Sequence, residues 1–178
     1  MTDPANQVIV GATGDLTHRL LLPGLGTLLK ADHDLRLNLI GASNETMGAE
    51  EWAALVSKSL QEGGCGAQRV GEAAGASRFV TLDATNPDDL ARLLDRLTGP
   101  IVLYFALPPA VTMKACEALA TIELPADLRL GIEKPFGSDL ASARHFNELL
   151  AKLVREEQIF RIDHYLGKTT VLNLLGLR

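Results

Sequence analysis

The sequence has few of the features that mark nucleic-acid-binding, membrane or disulfide-bonded proteins. Its two cysteines, Cys65 and Cys116, show neither C-x-x-C nor metal-site spacing, so we expect free thiols in a reducing compartment and no metal. A formal net charge of -5 leaves no basic surface for nucleic acid. The longest apolar run, Ile101 to Leu107, is too short to span a bilayer. Since the N-terminus also lacks a basic region and a long apolar run, we expect no secretory signal and a cytoplasmic location.

What the chain does have is a regular alternation of short apolar runs with amphipathic segments. Strands are predicted over residues 7–10, 35–41, 78–82, 101–106 and 128–133. Helices are predicted over residues 16–30, 49–61, 87–97, 111–120 and 138–154. We expect Pro23 to break the first helical region, Pro87 to lie in a first turn and Ser138 to be an N-cap. Residues 63–76, rich in Gly and Ala, are predicted to be a mobile loop. The alternation is typical of a doubly wound α/β domain with a mainly parallel sheet.

A glycine-rich turn follows the first predicted strand directly. It runs from Gly11 to Asp15 and opens a helix. Glycine lets the backbone approach a pyrophosphate, and a helix N-terminus supplies amide donors. The pattern is G-x-x-G, with Thr17 where a third small residue would pack. Its position after the first strand favours a dinucleotide site over a purely structural turn, which remains the alternative.

Rigid or charged residues end the fourth and fifth predicted strands. Pro108 and Pro109 stop the fourth strand and form either a ledge beside a ligand or a plain strand terminator. Lys134 follows the fifth strand. A lysine at the end of a buried strand contributes little to packing, so we expect its ammonium group in the crevice at the carboxyl ends of the strands.

Charged and hydrogen-bonding side chains are dense between Arg161 and Lys168. Asp163 could orient an imidazole. His164, Tyr165 and Lys168 offer the cations and donors that hold a phosphate monoester. The alternative interpretation is a solvated turn with an Asp–Arg pair.

Four motifs, in this order, resemble those of glucose-6-phosphate dehydrogenases: Gly-Ala-Thr-Gly-Asp-Leu, Ala-Leu-Pro-Pro, Glu-Lys-Pro-Phe-Gly and Arg-Ile-Asp-His-Tyr-Leu-Gly-Lys. The resemblance covers residues 1–178 as the N-terminal, Rossmann-like coenzyme domain of that family. It implies that residues 161–178 lead into a larger α+β domain absent from this chain, which looks cut short. It also implies oxidation of glucose 6-phosphate to 6-phosphoglucono-1,5-lactone with reduction of NADP, or of NAD, in the oxidative pentose phosphate pathway. The whole protein would be a homodimer or homotetramer through the missing domain.

The resemblance also implies roles for individual residues. Asp163 would be catalytic, paired with a histidine of the missing domain. His164, Tyr165 and Lys168 would bind the sugar phosphate, and Lys134 would contact both sugar and cofactor. The other cofactor-binding positions would be Gly11, Ala12, Thr13, Gly14, Asp15, Leu16, Thr17, His18, Asn44, Tyr104, Ala106 and Pro108.

Two positions depart from the family's pattern. Asn44 stands where an arginine often holds the 2′-phosphate of NADP, and His18 replaces a usual cation. With Glu45 beside it, Asn44 predicts NADP binding with weak discrimination against NAD. We expect the chain to bind cofactor but to be inactive alone. Two other classes stay open: a stand-alone dinucleotide-binding or regulatory module, and a structural piece that seeks a partner.

Overall fold

The computed structural model describes residues 4–163. Within this part of the chain, six strands form one sheet in the order β3-β2-β1-β4-β5-β6, and every neighbouring pair is parallel. The predicted doubly wound α/β fold is confirmed. The strands are β1 (Ala5–Val10), β2 (Leu37–Ser43), β3 (Arg78–Thr81), β4 (Ile101–Phe105), β5 (Leu128–Glu133) and β6 (Ile159–Ile162).

Helices pack on both faces of the sheet. Val8 and Val10 of β1 face one apolar layer, and Ile9 between them faces the other, because side chains alternate along a strand. Helices α1 (Leu22–Ala31), α2 (Ala49–Glu62) and α3 (Ala67–Ala76) belong to the Ile9 side. Helices α4 (Pro87–Leu94), α5 (Pro109–Leu119) and α6 (Leu140–Leu153) belong to the Val8 side. None of these helices is long and apolar enough to cross a membrane.

Of the two proline predictions, the first turn at Pro87 is confirmed and the break at Pro23 is not. A π-helical turn, Thr17–Leu21, precedes α1, and Pro23 lies in the first turn of α1. Helical backbone continues without a gap from residue 15 to residue 31, so the predicted break at Pro23 is wrong, and only the change from π-helical to α-helical turns marks that position. Pro87 lies in the first turn of α4, where the Asn86 side chain accepts a hydrogen bond from the Asp88 N–H at 2.9 Å.

The predicted cap at Ser138 is wrong. Asp139 is the N-cap of α6, and its carboxylate accepts a hydrogen bond from the Ser142 N–H at 2.8 Å. The Ser142 hydroxyl in turn accepts a hydrogen bond from the Asp139 N–H at 3.1 Å. This reciprocal pair satisfies two backbone donors, so the helix begins one residue later than expected.

The loop predicted over residues 63–76 is also wrong, because most of this segment forms α3. Val70 and Ala74, one turn apart, are buried with Trp52 in the apolar layer. Gly71 and Gly75 each disfavour a helix by about 1 kcal/mol relative to alanine. Burial of the Val70 face and the alanine content of the segment outweigh that cost.

Strand β6 is an addition to the five predicted strands. It has only four residues, of which Ile159 is buried and Phe160 is half-exposed. Such a short segment carries little periodic signal. Its pairing with β5, Glu133 opposite Ile162, brings Asp163 to the carboxyl edge of the sheet.

Candidate dinucleotide site

The site lies at the carboxyl ends of β1 and β4, where the winding of the sheet reverses. β1 pairs with β2 on one side and with β4 on the other. Ligands of such sheets bind in the crevice outside the strand ends at this point. Two of the predicted motifs fall there: residues 11–18 follow β1, and residues 106–108 follow β4.

Gly11 packs directly against the Ala106 end of β4. Its φ is +92°, a left-handed conformation, and a Cβ atom at this position would lie 2.2 Å from the Ala106 carbonyl oxygen. The Gly11 N–H donates to the Ala42 carbonyl at 2.8 Å, and the Ala106 N–H donates to Val10 at the same distance. Only glycine satisfies both the conformation and the space. The turn and the Ala106–Pro108 ledge are thus one packed unit.

Three side chains hold the turn in shape. The buried Thr17 hydroxyl donates to the Gly11 carbonyl at 3.2 Å, which explains the small polar residue there. His18 Nε2 lies 3.1 Å from the Ala12 carbonyl oxygen and donates to it in the tautomer that carries a proton on Nε2. The Thr13 and Ser43 hydroxyls are 2.9 Å apart and link the turn to β2.

The helical segment after the turn begins at Asp15 and Leu16. Backbone N–H groups in a first turn have no intrahelical partner, and they are the donors that a pyrophosphate uses. The Asp15 carboxylate pairs with Arg19 at 3.2 Å, and both side chains are largely exposed. This pairing offsets part of the negative charge near the helix start. The residues present therefore fit the pyrophosphate of a dinucleotide.

The end of β2 presents neutral and acidic groups beside the turn. Asn44 and Glu45 are exposed, and the Glu45 N–H donates to the Ser43 hydroxyl at 3.3 Å. Ser43 also contacts Thr13, so this segment adjoins the turn. Asn44 therefore lies at the carboxyl end of β2, next to the glycine turn.

Lys134 and Asp163, predicted from two separate motifs, meet at the ends of β5 and β6. Lys134 Nζ lies 2.9 Å from an Asp163 carboxylate oxygen, and the Lys134 N–H donates to the Ile162 carbonyl at 3.3 Å. The lysine side chain is 57% exposed and the aspartate 20%, so the ammonium group is open to a ligand. Arg161 donates to Glu156 and Asn147.

The structure adds Glu133 to the predicted set. The Tyr104 hydroxyl at the end of β4 donates a hydrogen bond to the Glu133 carboxylate. Burial, and then the hydrogen bond and charge of Glu133, raise the pKa of Tyr104 well above its usual range. The one indication of this pair in the sequence is the position of Glu133 next to Lys134.

Three predicted substrate-binding residues, His164, Tyr165 and Lys168, lie outside the described residues, so their roles stay predictions. Within residues 4–163 no cluster of three metal-ligating side chains occurs. Cys65 and Cys116 are buried and free.

The turn, the ledge and the switch point define the class: a doubly wound, dinucleotide-binding α/β domain. Residues 8–173 match the glucose-6-phosphate dehydrogenase, NAD binding domain. The chain belongs to this family, and the resemblance stated from its motifs is confirmed.

Curated relatives cover nearly all of this chain. It is 37% identical over 186 residues to glucose-6-phosphate 1-dehydrogenase of Rhizobium meliloti (strain 1021), which spans 99% of the chain and 38% of the relative. It is 38% identical over 189 residues to the enzyme of the same name from Zymomonas mobilis subsp. mobilis, with 98% and 38% covered. The chain thus spans about 38% of the length of these relatives.

Solved structures show the same fold. A glucose-6-phosphate dehydrogenase in complex with its substrate glucose-6-phosphate matches with a TM-score of 0.84 and 28% identity, covering 99% of this chain and 40% of that one. The Mycobacterium avium glucose-6-phosphate 1-dehydrogenase matches with a TM-score of 0.80 at 24% identity, which speaks for the fold alone.

Proposed function

We propose that residues 1–178 are the coenzyme domain of an enzyme that oxidises glucose 6-phosphate to 6-phosphoglucono-1,5-lactone with NADP as acceptor. One observation carries this proposal: the glycine turn and the Ala106–Pro108 ledge flank the switch point, and the Lys134–Asp163 pair lies at the same edge. A cofactor cradle and a charged substrate-side pair are therefore neighbours. Family membership supports the same activity.

The cofactor is proposed to lie across the switch point. Its pyrophosphate would meet the amides at the start of the helical segment, with Gly11 through His18 around it and Asn44 beside the adenosine ribose. Tyr104, Ala106, Pro108 and Lys134 would border the other half. When bound, the nicotinamide ring accepts the hydride of the substrate.

Asp163 is proposed as the catalytic carboxylate of this chain. A carboxylate repels a phosphate dianion but stabilises and orients a cationic imidazole, so Asp163 suits a dyad with a histidine of a second domain. Lys134 holds it at 2.9 Å and would also contact sugar and cofactor. His164, Tyr165 and Lys168 would hold the sugar phosphate through charge-assisted hydrogen bonds.

The wider setting follows from the same proposal. Residues 161–178 would lead into the substrate and dimerisation domain, through which the whole enzyme would form a homodimer or homotetramer. It would act in the cytoplasm, in the oxidative pentose phosphate pathway, without nucleic-acid or membrane partners.

Calorimetry tests the cofactor site. Gly14→Val places a branched side chain where the pyrophosphate must approach, at a position whose Cβ would already lie 3.1 Å from the Gly11 carbonyl oxygen. We expect NADP affinity to fall at least about tenfold, the loss of one or two charge-assisted hydrogen bonds. Gly24→Val is the matched control, because nothing lies within 4 Å of a Cβ there. Equal NADP affinity in wild type and Gly14→Val would refute the site.

A second candidate is a dinucleotide-binding module without catalysis. The observation in its favour is that the chain matches the NAD binding domain of the family and spans only about 38% of the relatives' length. The enzyme hypothesis and the binding-module hypothesis both predict no NADPH production from glucose 6-phosphate by these 178 residues. Turnover by the chain alone would show that the base has been misplaced. Turnover after addition of a second domain would favour the enzyme.

A further inference from the structure

Gly131 makes room for the ring of Tyr104. The two residues are opposite each other in the β4–β5 pairing. A Cβ atom on residue 131 would lie 2.9 Å from Tyr104 Cδ2 and 3.4 Å from Cγ. The ring therefore lies over the backbone of β5, in space that only glycine leaves open.

From that position the phenol reaches the last residue of β5. Glu133 is two residues beyond Gly131 and so lies on the same face of the strand. Its carboxylate accepts the hydrogen bond of the Tyr104 hydroxyl. Partial burial and the neighbouring carboxylate raise the pKa of Tyr104, so the phenol stays a protonated donor well into the alkaline range.

The same end of β5 is also held from β6. The N–H of Lys134 donates to Ile162, and its ammonium group donates to Asp163. Two consecutive residues thus tie β5 to both neighbouring strands, Glu133 to β4 and Lys134 to β6. A shift of Glu133 would move the backbone that carries Lys134.

We infer that Gly131, Tyr104 and Glu133 form a positioning unit that sets the carboxyl end of β5 for the nicotinamide half of the bound dinucleotide. Gly131 and Glu133 join the site through this unit, and both act through Tyr104 and Lys134. This inference rests on the proposed dinucleotide function.

The strand order explains why the positioning unit affects only the nicotinamide half of the cofactor. In this topology a residue after the second strand holds the adenosine ribose, so the adenosine half lies toward β2 and β3. The nicotinamide half then lies toward β4 and β5. Loosening the unit should weaken binding of the complete dinucleotide and leave binding of the adenosine half intact.

Calorimetry with two probes, NADP and 2′,5′-ADP, separates these halves. We expect Tyr104→Phe to weaken NADP binding about two- to tenfold, the size of one hydrogen bond, and Glu133→Gln, whose amide oxygen still accepts but carries no charge, to weaken it less. The affinity for 2′,5′-ADP should stay unchanged. Glu123→Gln, which removes a carboxylate at an exposed position before β5, should change neither affinity.

Non-additivity gives a second readout. Gly131→Ala should weaken NADP binding in the wild-type background and have little further effect beside Tyr104→Ala, because the ring that it displaces is gone. Equal weakening of NADP and 2′,5′-ADP would mean general destabilisation and overturn the inference. So would no change with either probe. Failure of the wild type to bind both probes would instead refute the proposed function.

Absorbance titration checks the pair itself in solution. The chain has two tyrosines, Tyr104 and Tyr165, and the Tyr104 ionisation is identified as the component lost in Tyr104→Phe. Removing the carboxylate with Glu133→Gln should move that component to lower pH. An identical Tyr104 ionisation in wild type and Glu133→Gln would show that the hydrogen bond is not formed, and would overturn the positioning unit.

Discussion

The candidate site at the carboxyl edge of the sheet has two halves, one beside β1 and one at β4–β6, and different kinds of contact hold them in place. Beside β1, the Thr17 and His18 side chains contact carbonyl groups only six residues away. Gly11 packs against the carbonyl group of Ala106. At β4–β6 the contacts are between charged or phenolic side chains, and both Tyr104–Glu133 and Lys134–Asp163 span 29 residues. One half is therefore held by contacts to backbone groups, whereas the other is held by side-chain pairs between neighbouring strands.

Because the contacts differ, we expect the two halves to respond differently to amino-acid substitutions. A backbone cradle of this kind fails when any side chain intrudes, whatever its chemistry. A side-chain network tolerates a change of size better than a change of charge, because each partner left unpaired loses a charge-assisted hydrogen bond. Substitutions in the two halves should thus affect different observables.

The largest expected effect is in the side-chain half. In a protein that carries this domain together with a second domain of the family, Asp163→Asn should lower the turnover number about 10²- to 10⁴-fold, the usual contribution of general acid–base catalysis. The neutral amide no longer stabilises a histidine cation. The Michaelis constant for glucose 6-phosphate should change little, as steady-state kinetics would show.

Lys168→Ala provides the contrasting variant for that experiment. It should raise the Michaelis constant for glucose 6-phosphate, because Lys168 is proposed to bind the phosphate. The Michaelis constant for unphosphorylated glucose should rise much less. Equal impairment with both sugars would contradict that role. An unchanged turnover number in Asp163→Asn would remove Asp163 from catalysis.

The next effect concerns the backbone half and is a loss of stability. Gly11→Ala forces a left-handed residue and a Cβ within 2.2 Å of the Ala106 oxygen. We expect the free energy of unfolding to fall by about 3 kcal/mol, from backbone strain and overpacking together. Urea denaturation measures this.

Gly71→Ala is the matched control for Gly11→Ala. It lies within α3, and nothing is within 4 Å of its Cβ position. It should raise the free energy of unfolding by about 0.5–1 kcal/mol, through helix propensity and the lower entropy of the unfolded chain. If both variants lost the same stability, Gly11 would have no special place in the turn.

Features that follow from local sequence patterns could be predicted, whereas features that depend on contacts between distant segments could not. The alternation of strands and helices predicts the parallel sheet, and the position of Gly11 directly after a strand predicts the turn; the structure confirms both elements. The α3 helix was missed because its glycines resemble a loop signal, whereas burial of Val70 and Ala74 depends on α2. The Tyr104–Glu133 pair could not be read from spacing, since strand register decides it.

The smallest effect tests whether the backbone half also selects the cofactor. Asn44 and Glu45 are exposed beside Ser43, and the Ser43–Thr13 contact places them next to the turn. Asn44→Arg would add one charge-assisted hydrogen bond to a 2′-phosphate, worth about 1.5 kcal/mol, or roughly tenfold, at an exposed position. Calorimetry should show tighter NADP binding and unchanged NAD binding.

Glu45→Gln sharpens that experiment by removing the charge that favours a free 2′-hydroxyl. It should improve NADP binding less than Asn44→Arg does, because it removes a repulsion that water and salt screen and adds no new bond. If Asn44→Arg left the NADP to NAD affinity ratio unchanged, and that ratio were already steep, cofactor choice would come from elsewhere. If the ratio rises as expected, the backbone turn binds any dinucleotide, and the side chains after β2 choose between the two.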